Sequence, residues 1–143
     1  MQNKNNEKLL LDTHAWVWLL NGNEENLKPG IVATIQQAAL SDLLRISAIS
    51  LWEVAMLESK GRIHMGMECL SWLNMALAAP GISLVPLTAE IAVRSCTLPG
   101  EFHGDPADRI IVATAHIMDA RLVTRDANIV CYSRQGYLDV LAL

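Results

Sequence analysis

Four acidic residues stand at positions where their side chains could act together. Asp12 and Asp126 follow short apolar segments, and Glu53 and Asp108 fall in the first turns of predicted helices. Carboxylate ligands without His or Cys neighbours suit a hard cation, Mg²⁺ or Mn²⁺. A cation held in this way activates water for attack on a phosphodiester. These residue types therefore predict phosphodiester hydrolysis, provided that the fold brings the four carboxylates into one place.

Most of these acids also have a simpler explanation as part of a helix start. Asp105 fits the N-cap of the helix that follows it, and Asp12 fits the N-cap of a helix beginning at Thr13 or His14. Ser50-Leu51-Trp52-Glu53 matches the S-x-x-E capping box. Asp126 fits an ordinary turn. Each of these explanations stays open until the surrounding elements are placed.

Apolar runs alternate with helical patterns along the chain. The predicted strands are Leu9 to Asp12, Leu43 to Ala48, ISLVPL (82–87), RLVT (121–124) and a short one within LDVLAL (138–143). The predicted helices are HAWVWLL (14–20), Pro29 to Leu40, Ser50 to about Lys60, Met65 to Ala78, a helix capped by Thr88 that ends near Cys96, and the helix that begins at DPADR (105–109). Such alternation indicates an α/β fold with a parallel sheet covered by helices on both faces.

A parallel sheet gives the four acids a common location. The carboxyl ends of its strands and the amino ends of the following helices share one edge, which is where open α/β folds bind their ligands. Asp12, Glu53, Asp108 and Asp126 would all converge there. Like charges so close together raise one another's pKa unless a cation lies among them.

Length and composition favour one domain without a membrane anchor. The 143 residues are enough for a single core, with a polar tail over residues 1–8 and the domain over residues 9–143. The tail lacks the apolar centre of a secretory signal, and no apolar run approaches the roughly 18 residues that span a bilayer. Cys69, Cys96 and Cys131 form no CxxC pair, which suits a reducing cytoplasm.

The balance of charge and apolar residues bears on partners. Hydrophobic residues make up 52% of the chain, and burial against a protein partner would cover the excess. The formal net charge is −4, whereas proteins that coat nucleic acid are normally basic. Any contact with nucleic acid must therefore be local or assisted.

Three segments together resemble a known family. LLLDTHAWVWLL (9–20), ISAISLWEVAMLESKGRI (46–63) and GDPADRIIVATAHIMDARLVTRD (104–126) are similar, in order and spacing, to the motifs of PIN-domain ribonucleases, and specifically to VapC-type toxins of type II toxin–antitoxin systems. The resemblance covers nearly the whole chain from Leu9 onward. It departs from many members in one place, since His14 stands where Asn or Ser is common, although a D-T-H start occurs in a branch of the family.

The resemblance implies a fold, an activity and a set of partners. The sheet order would be 3-2-1-4-5, and the activity would be Mg²⁺- or Mn²⁺-dependent cleavage of RNA. The four acids of the family would match Asp12, Glu53, Asp108 and Asp126, with Asp105 acting as a cap. A cognate VapB-like antitoxin would inhibit the enzyme and provide the only link to DNA, and the toxin would be a cytoplasmic homodimer.

For several other residues, the sequence allows both a functional and a purely structural role. Arg109 and Arg125 could contact phosphate or position an acid, or they could form structural ion pairs. The cluster formed by Lys60, Arg62 and His64 could touch RNA or be a solvated helix end. The four tryptophans, which lie at helical positions, are expected mostly in the core, with one or two left to contact an antitoxin. They are Trp16, Trp18, Trp52 and Trp72.

Two other functions are compatible with parts of this pattern. Asp12 at a strand end could serve as the covalent nucleophile of an α/β phosphatase, although no second acid follows it closely and no suitably placed lysine stands out. Alternatively, the domain could be catalytically silent and act only by binding a partner. The presence of all four acids argues against a silent domain.

Overall fold

A parallel sheet of five strands forms the centre of the molecule. The computed structural model describes residues 7–22 and 24–143, so residues 1–6 of the predicted tail lie outside the described residues. The strands are β1 (Leu9–Leu11), β2 (Leu44–Ser47), β3 (Ile82–Val85), β4 (Arg121–Thr124) and β5 (Val140–Ala142). Their order is β3-β2-β1-β4-β5, and every neighbouring pair is parallel. The predicted order and fold class are confirmed.

Seven α-helices are found within the described residues. They are α1 (Thr13–Asn21), α2 (Pro29–Leu40), α3 (Ala48–Ser59), α4 (Cys69–Leu77), α5 (Ala89–Cys96), α6 (Pro106–Met118) and α7 (Ala127–Ser133), and a 3₁₀ turn spans Glu24–Asn26. The sequence predicted the first six but not α7 or the 3₁₀ turn. A helix of seven residues is too short to show a clear apolar period.

Two predicted helix starts were wrong. Helix α3 begins at Ala48 rather than Ser50, because Ser47 is the N-cap and its side chain accepts a hydrogen bond from the backbone N–H of Ile49 (3.3 Å). Helix α4 begins at Cys69 rather than Met65. Gly66 has a left-handed backbone conformation (φ 70°), which no helix can continue through.

The central strand alternates between two hydrophobic layers. Leu9 and Leu11 pack into one cluster with residues of α1, α2, α3 and α4, whereas Leu10 packs into a second cluster with residues of α6 and α7. All three leucines are buried, which explains why β1 is an unbroken apolar run. Helices therefore cover both faces of the sheet, as the sequence predicted.

The order of the strands reverses next to β1. From β1 the chain adds β2 and then β3 on one side, and it later returns to place β4 and β5 on the other side. The connections after β1 and β4 therefore leave in different directions, and a crevice opens between the carboxyl ends of these two strands. None of the helices in residues 7–22 and 24–143 has the length and apolar character needed to cross a membrane.

The close contact between α2 and the start of β3 predicts a large effect of a single methyl group. A Cβ added at Gly81 (φ 84°) would lie 1.9 Å from the carbonyl oxygen of Ala39, which is backbone and cannot rotate away. We expect Gly81→Ala to lower the free energy of unfolding by about 3 kcal/mol or more, combining overpacking with left-handed strain. Urea denaturation measures this change.

Gly61→Ala is the matched control. Gly61 is also left-handed (φ 68°), but a Cβ added there would meet no atom of residues 7–22 and 24–143 within 4 Å. Its cost should be only about 1–2 kcal/mol, the left-handed strain alone. Equal losses in the two variants would show that the contact between Gly81 and Ala39 carries no special constraint.

Candidate active site

An acidic pocket of about 460 Å³ lies at the carboxyl edge of the sheet, where the strand order reverses. Its lining residues are mostly carboxylates and aromatic rings: Asp12, His14, Trp18, Glu53, Asp105, Asp108, Arg125 and Asp126. The structure thus brings together the four acids expected at this edge, and Asp105 adds a fifth. Among the described residues that line a cavity of about 230 Å³ near Leu9 and Arg121, only Glu7 carries a carboxylate, so these residues offer no comparable chemistry.

Asp12 joins three elements at the pocket. It follows β1, and its side chain is 8% exposed. Its Oδ1 accepts a hydrogen bond from the backbone N–H of Thr13 (2.8 Å), which makes it the N-cap of α1, and its Oδ2 accepts from the hydroxyl of Thr124 in β4 (2.6 Å). Asp12 is therefore a helix cap and a pocket residue at once. Each carboxylate oxygen keeps a lone pair for a further ligand.

Thr124, the last residue of β4, connects Asp12 to Asp126. Its buried hydroxyl donates to Asp12 and accepts from the backbone N–H of Asp126 (3.0 Å). Asp126 in turn caps α7 by accepting from the N–H of Ile129 (3.0 Å), so it is a helix cap rather than a simple turn residue. Sequence reasoning gave Thr124 no role, although its position at a strand end beside β1 could have indicated one.

Glu53 lies in the second turn of α3, not the first. The predicted capping box from Ser50 is wrong, because Ser47 caps the helix and Ser50 is buried within it. The hydroxyl of Thr13 lies 2.7 Å from Oε1 of Glu53 and 2.9 Å from Oγ of Ser50. Thr13, from α1, therefore orients the Glu53 carboxylate toward the pocket.

Asp105 and Asp108 have different roles at the start of α6. Oδ1 of Asp105 accepts from the backbone N–H of Asp108 (2.8 Å), which confirms Asp105 as the N-cap, and Pro106 is the first helical residue. Asp108 occupies the third helical position and is only partly exposed. The positive end of the helix dipole favours negative charge at both positions. Both side chains nevertheless face the pocket.

The crowded carboxylates disturb one another's titration. Burial, followed by the charges of Asp105, Asp126, Asp12 and Glu53, raises the pKa of Asp108 to about 7. Burial also raises the pKa of Glu53 and of Asp12, although hydrogen bonds from Thr13 and Thr124 oppose the shift. The pocket therefore carries more negative charge than its surroundings balance.

The donor set fits a hard divalent cation. Five carboxylates supply only oxygen ligands, and a cation among them would relieve the repulsion that raises the pKa of Asp108. In residues 7–22 and 24–143, no three acidic, His or Cys side chains are grouped closely enough to enclose an ion. Binding would therefore have to draw the carboxylates together.

Neither arginine near the acids forms an ion pair in the described part of the chain. The guanidinium of Arg109 donates to the carbonyl oxygens of Ser95 and Phe102 (2.8 Å each), so it ties the last turn of α5 to the loop before α6 and is not among the residues that line the pocket. Arg125 is exposed and lines the pocket, where it donates to the side chain of Asn26 (3.2 Å). Lys60, Arg62 and His64 are all solvent-exposed.

The tryptophans divide between the core and the surface. Trp16 and Trp72 are buried against each other, with ring centroids 5.2 Å apart. Trp18 lines the pocket, and Trp52 is 57% exposed. The expectation that they lie mostly in the core holds for two of the four. Sequence reasoning did not place Trp18 in the site.

The sequence itself has relatives among known proteins. The sequence profile of the family described as PIN domain matches residues 9–134. The chain is 37% identical, over 118 residues, to the ribonuclease VapC22 of Mycobacterium tuberculosis, and the match covers 82% of this chain and 86% of that protein.

Solved structures share the fold at low sequence identity. The VapBC2 complex of Rickettsia felis, bound to a promoter DNA fragment, contains a chain with a TM-score of 0.69 at 20% identity, covering 94% of this chain and 97% of that one. The DNA-bound VapBC complex of Salmonella typhimurium gives a TM-score of 0.68 at 16% identity, covering 95% and 98%.

The charge of Asp108 predicts an unusual pH dependence for the metal-free protein. Because folding raises its pKa from 3.8 to about 7, the folded state holds this proton more tightly than the unfolded state. The contribution to stability is complete below 3.8 and is lost as pH rises through about 7. Asp108→Asn should remove this loss and be more stable than the wild type at about pH 8, by on the order of 1 kcal/mol after solvent screening.

Urea denaturation in EDTA between acid and mildly alkaline pH measures this difference. Glu58→Gln, which neutralises an exposed acid outside the pocket, is the control and should follow the wild type. If Asp108→Asn were less stable than the wild type at alkaline pH, repulsion among the pocket carboxylates would not be what destabilises the folded protein there.

Proposed function

Because this chain belongs to the PIN-domain family and is a homologue of VapC ribonuclease toxins, we propose that it is a metal-dependent endoribonuclease that cleaves RNA phosphodiester bonds. The observation that carries the proposal is the convergence of five carboxylates on one crevice at the point where the strand order reverses. A cation bound among these acids would relieve the repulsion that contributes to the raised pKa of Asp108.

The roles of the individual acids follow from their surroundings. Asp12 and Asp108 would bind Mg²⁺ or Mn²⁺ directly, and Glu53 and Asp126 would complete the acidic set. When bound, the cation supplies an activated water and positive charge for the attacked phosphate. Thr13 would hold Glu53 in place, and Thr124 would fix Asp12 relative to Asp126.

The two other functions are less well supported by the geometry. No lysine is among the described residues that line the pocket, so they do not favour a covalent aspartyl nucleophile. A silent binding domain would gain nothing from acids that raise one another's pKa. The acidic pocket therefore favours the metal-dependent nuclease over both.

The relationship to VapC toxins also supports a cognate VapB-like antitoxin as the inhibitor. Large apolar side chains are exposed on α3, α4 and α5, including Trp52 (57%), Met75 (65%) and Val93 (64%), and a protein partner would cover such surface. Under this proposal, the enzyme works in the cytoplasm as a homodimer and reaches DNA only through the antitoxin.

Substitutions at the two acids at the start of α6 can distinguish a catalytic role from helix capping. Asp108→Asn should lower Mg²⁺-dependent RNA cleavage at least about a hundredfold, since losing a metal ligand should cost more than losing an outer-shell partner. Asp105→Asn removes the same charge but keeps a good N-cap, so it should retain most of the activity. Cleavage of labelled RNA by both variants, checked for folding by circular dichroism, measures the contrast.

A folded Asp108→Asn protein that cleaves RNA at the wild-type rate would reduce Asp108 to part of a helix start. A wild type that cleaves equally well in EDTA would remove the metal from the proposal.

Metal binding can also be measured without RNA. Titration with Mn²⁺, followed by calorimetry, should show at least about tenfold weaker binding for Asp12→Asn than for the wild type, because a neutral amide is a poorer ligand for a hard cation. Asp139→Asn, at an exposed acid outside the pocket, is the control. Equal affinities for the wild type and Asp12→Asn would contradict direct ligation by Asp12.

A further inference from the structure

One side of the acidic pocket is formed by flat side chains rather than carboxylates. Trp18 lines the pocket, although Trp16, two residues earlier in α1, is fully buried in the core. The imidazole of His14 lies 5.7 Å from the Trp18 ring between centroids, at an interplanar angle of 50°. The guanidinium carbon of Arg125 lies 5.4 Å from the Trp18 ring centroid. We call His14, Trp18 and Arg125 the stacking wall.

The charge of the pocket determines which part of an RNA chain can approach this wall. Away from the proposed cation, the carboxylates repel phosphate, and Arg125 is the one arginine or lysine among the eight lining residues. A nucleobase carries no charge, and unpaired bases stack on aromatic rings and guanidinium planes. The wall is therefore better suited to a base than to the sugar-phosphate backbone.

Arg125 lies over the Trp18 ring and lines the pocket. In the described part of the chain it forms no ion pair with the nearby acids, and its one side-chain hydrogen bond goes to Asn26. Its side chain also lines a second cavity, of about 480 Å³, together with Lys28 and Pro29. Arg125 thus stands between the acidic pocket and a neighbouring space that could hold the next nucleotide.

We propose that the stacking wall receives one unpaired nucleobase of the RNA, adjacent to the phosphodiester that is cleaved. This rests on the proposed ribonuclease activity and adds the form of its substrate. A base inside a duplex is already stacked on its neighbours and cannot enter, so the cleaved position must be single-stranded or looped out. The wall selects for an unpaired base and, because every base has a stacking face, tolerates several sequences.

The test compares intact and base-less RNA on matched variants. The probe is a short single-stranded oligoadenylate in which one position carries aminopurine, a fluorescent adenine analogue, or lacks its base altogether. For the intact probe, Trp18→Ala should raise KM about tenfold, with a smaller change in kcat. Trp18→Phe keeps a stacking ring and should restore most of the affinity. Tyr137→Ala, at an exposed aromatic residue outside the pocket, should leave KM unchanged.

When the base is missing at one particular position of the probe, the wild type and Trp18→Ala should have the same KM. When the base is missing at any other position, their KM values should still differ. With Mg²⁺ present and cleavage removed by Asp108→Asn, that particular position should show quenching of aminopurine fluorescence by the protein that retains Trp18 and not by the one that also carries Trp18→Ala. The comparison of intact and base-less probes on the wild type alone decides the matter if Trp18→Ala does not fold.

Each remaining outcome has a definite meaning. Equal KM for the wild type and Trp18→Ala, or for intact and base-less probes at every position, would overturn the stacking wall while leaving the ribonuclease activity intact. Loss of antitoxin binding in Trp18→Ala without a change in KM would assign these residues to the protein partner instead. A wild type that cleaves no RNA with Mg²⁺ or Mn²⁺ would overturn both proposals.

Discussion

The pairing of β1 with β4 is the constraint on which the site depends. These strands are far apart in the sequence, yet Leu11 lies opposite Val123 in parallel register, so Asp12 and Thr124, the next residues, lie at the same level. That register places the Thr124 hydroxyl 2.6 Å from Asp12 and directs the next residues of both strands into one crevice. A shift by one residue would turn Thr124 to the other face and separate Asp12 from Asp126.

Capping and chemistry use the same carboxylates at this edge. Asp12, Asp105 and Asp126 each accept a hydrogen bond from the first turn of the helix that follows, and those N–H groups would otherwise be unpaired. These hydrogen bonds from the helix N-termini therefore offset part of the repulsion among the carboxylates in the pocket. Asp108 and Glu53 are not caps and have raised pKa values, and so does the buried cap Asp12, so capping offsets burial and repulsion only in part.

The sequence predicted the sheet order and the shared edge because both follow from rules that apply to whole segments. Runs such as LLL and RLVT identify buried strands, and parallel strands place the residues after them together. Two kinds of detail could not be predicted: which of two nearby residues caps a helix, and which side of a helix faces the pocket. Ser47 and Ser50 were equally plausible caps from sequence, and only tertiary packing buries Ser50 beside Thr13. Trp16 and Trp18 are chemically identical, yet they lie two positions apart on α1 and so point in different directions. Trp16 is buried in the core, whereas Trp18 lines the pocket.

An acidic protein that acts on RNA has to obtain its affinity from something other than a basic surface. The formal net charge is −4, and the exposed cluster of Lys60, Arg62 and His64 lies outside the pocket. Few phosphates can then be neutralised, so counterion release contributes less than it does for basic proteins. Contacts with a base do not carry this electrostatic cost, because the base is uncharged. Under the proposed activity, the acids that would hold a cation therefore also favour recognition through uncharged groups, and aromatic side chains at the rim of this pocket would contribute more to RNA binding than they would in a basic nuclease.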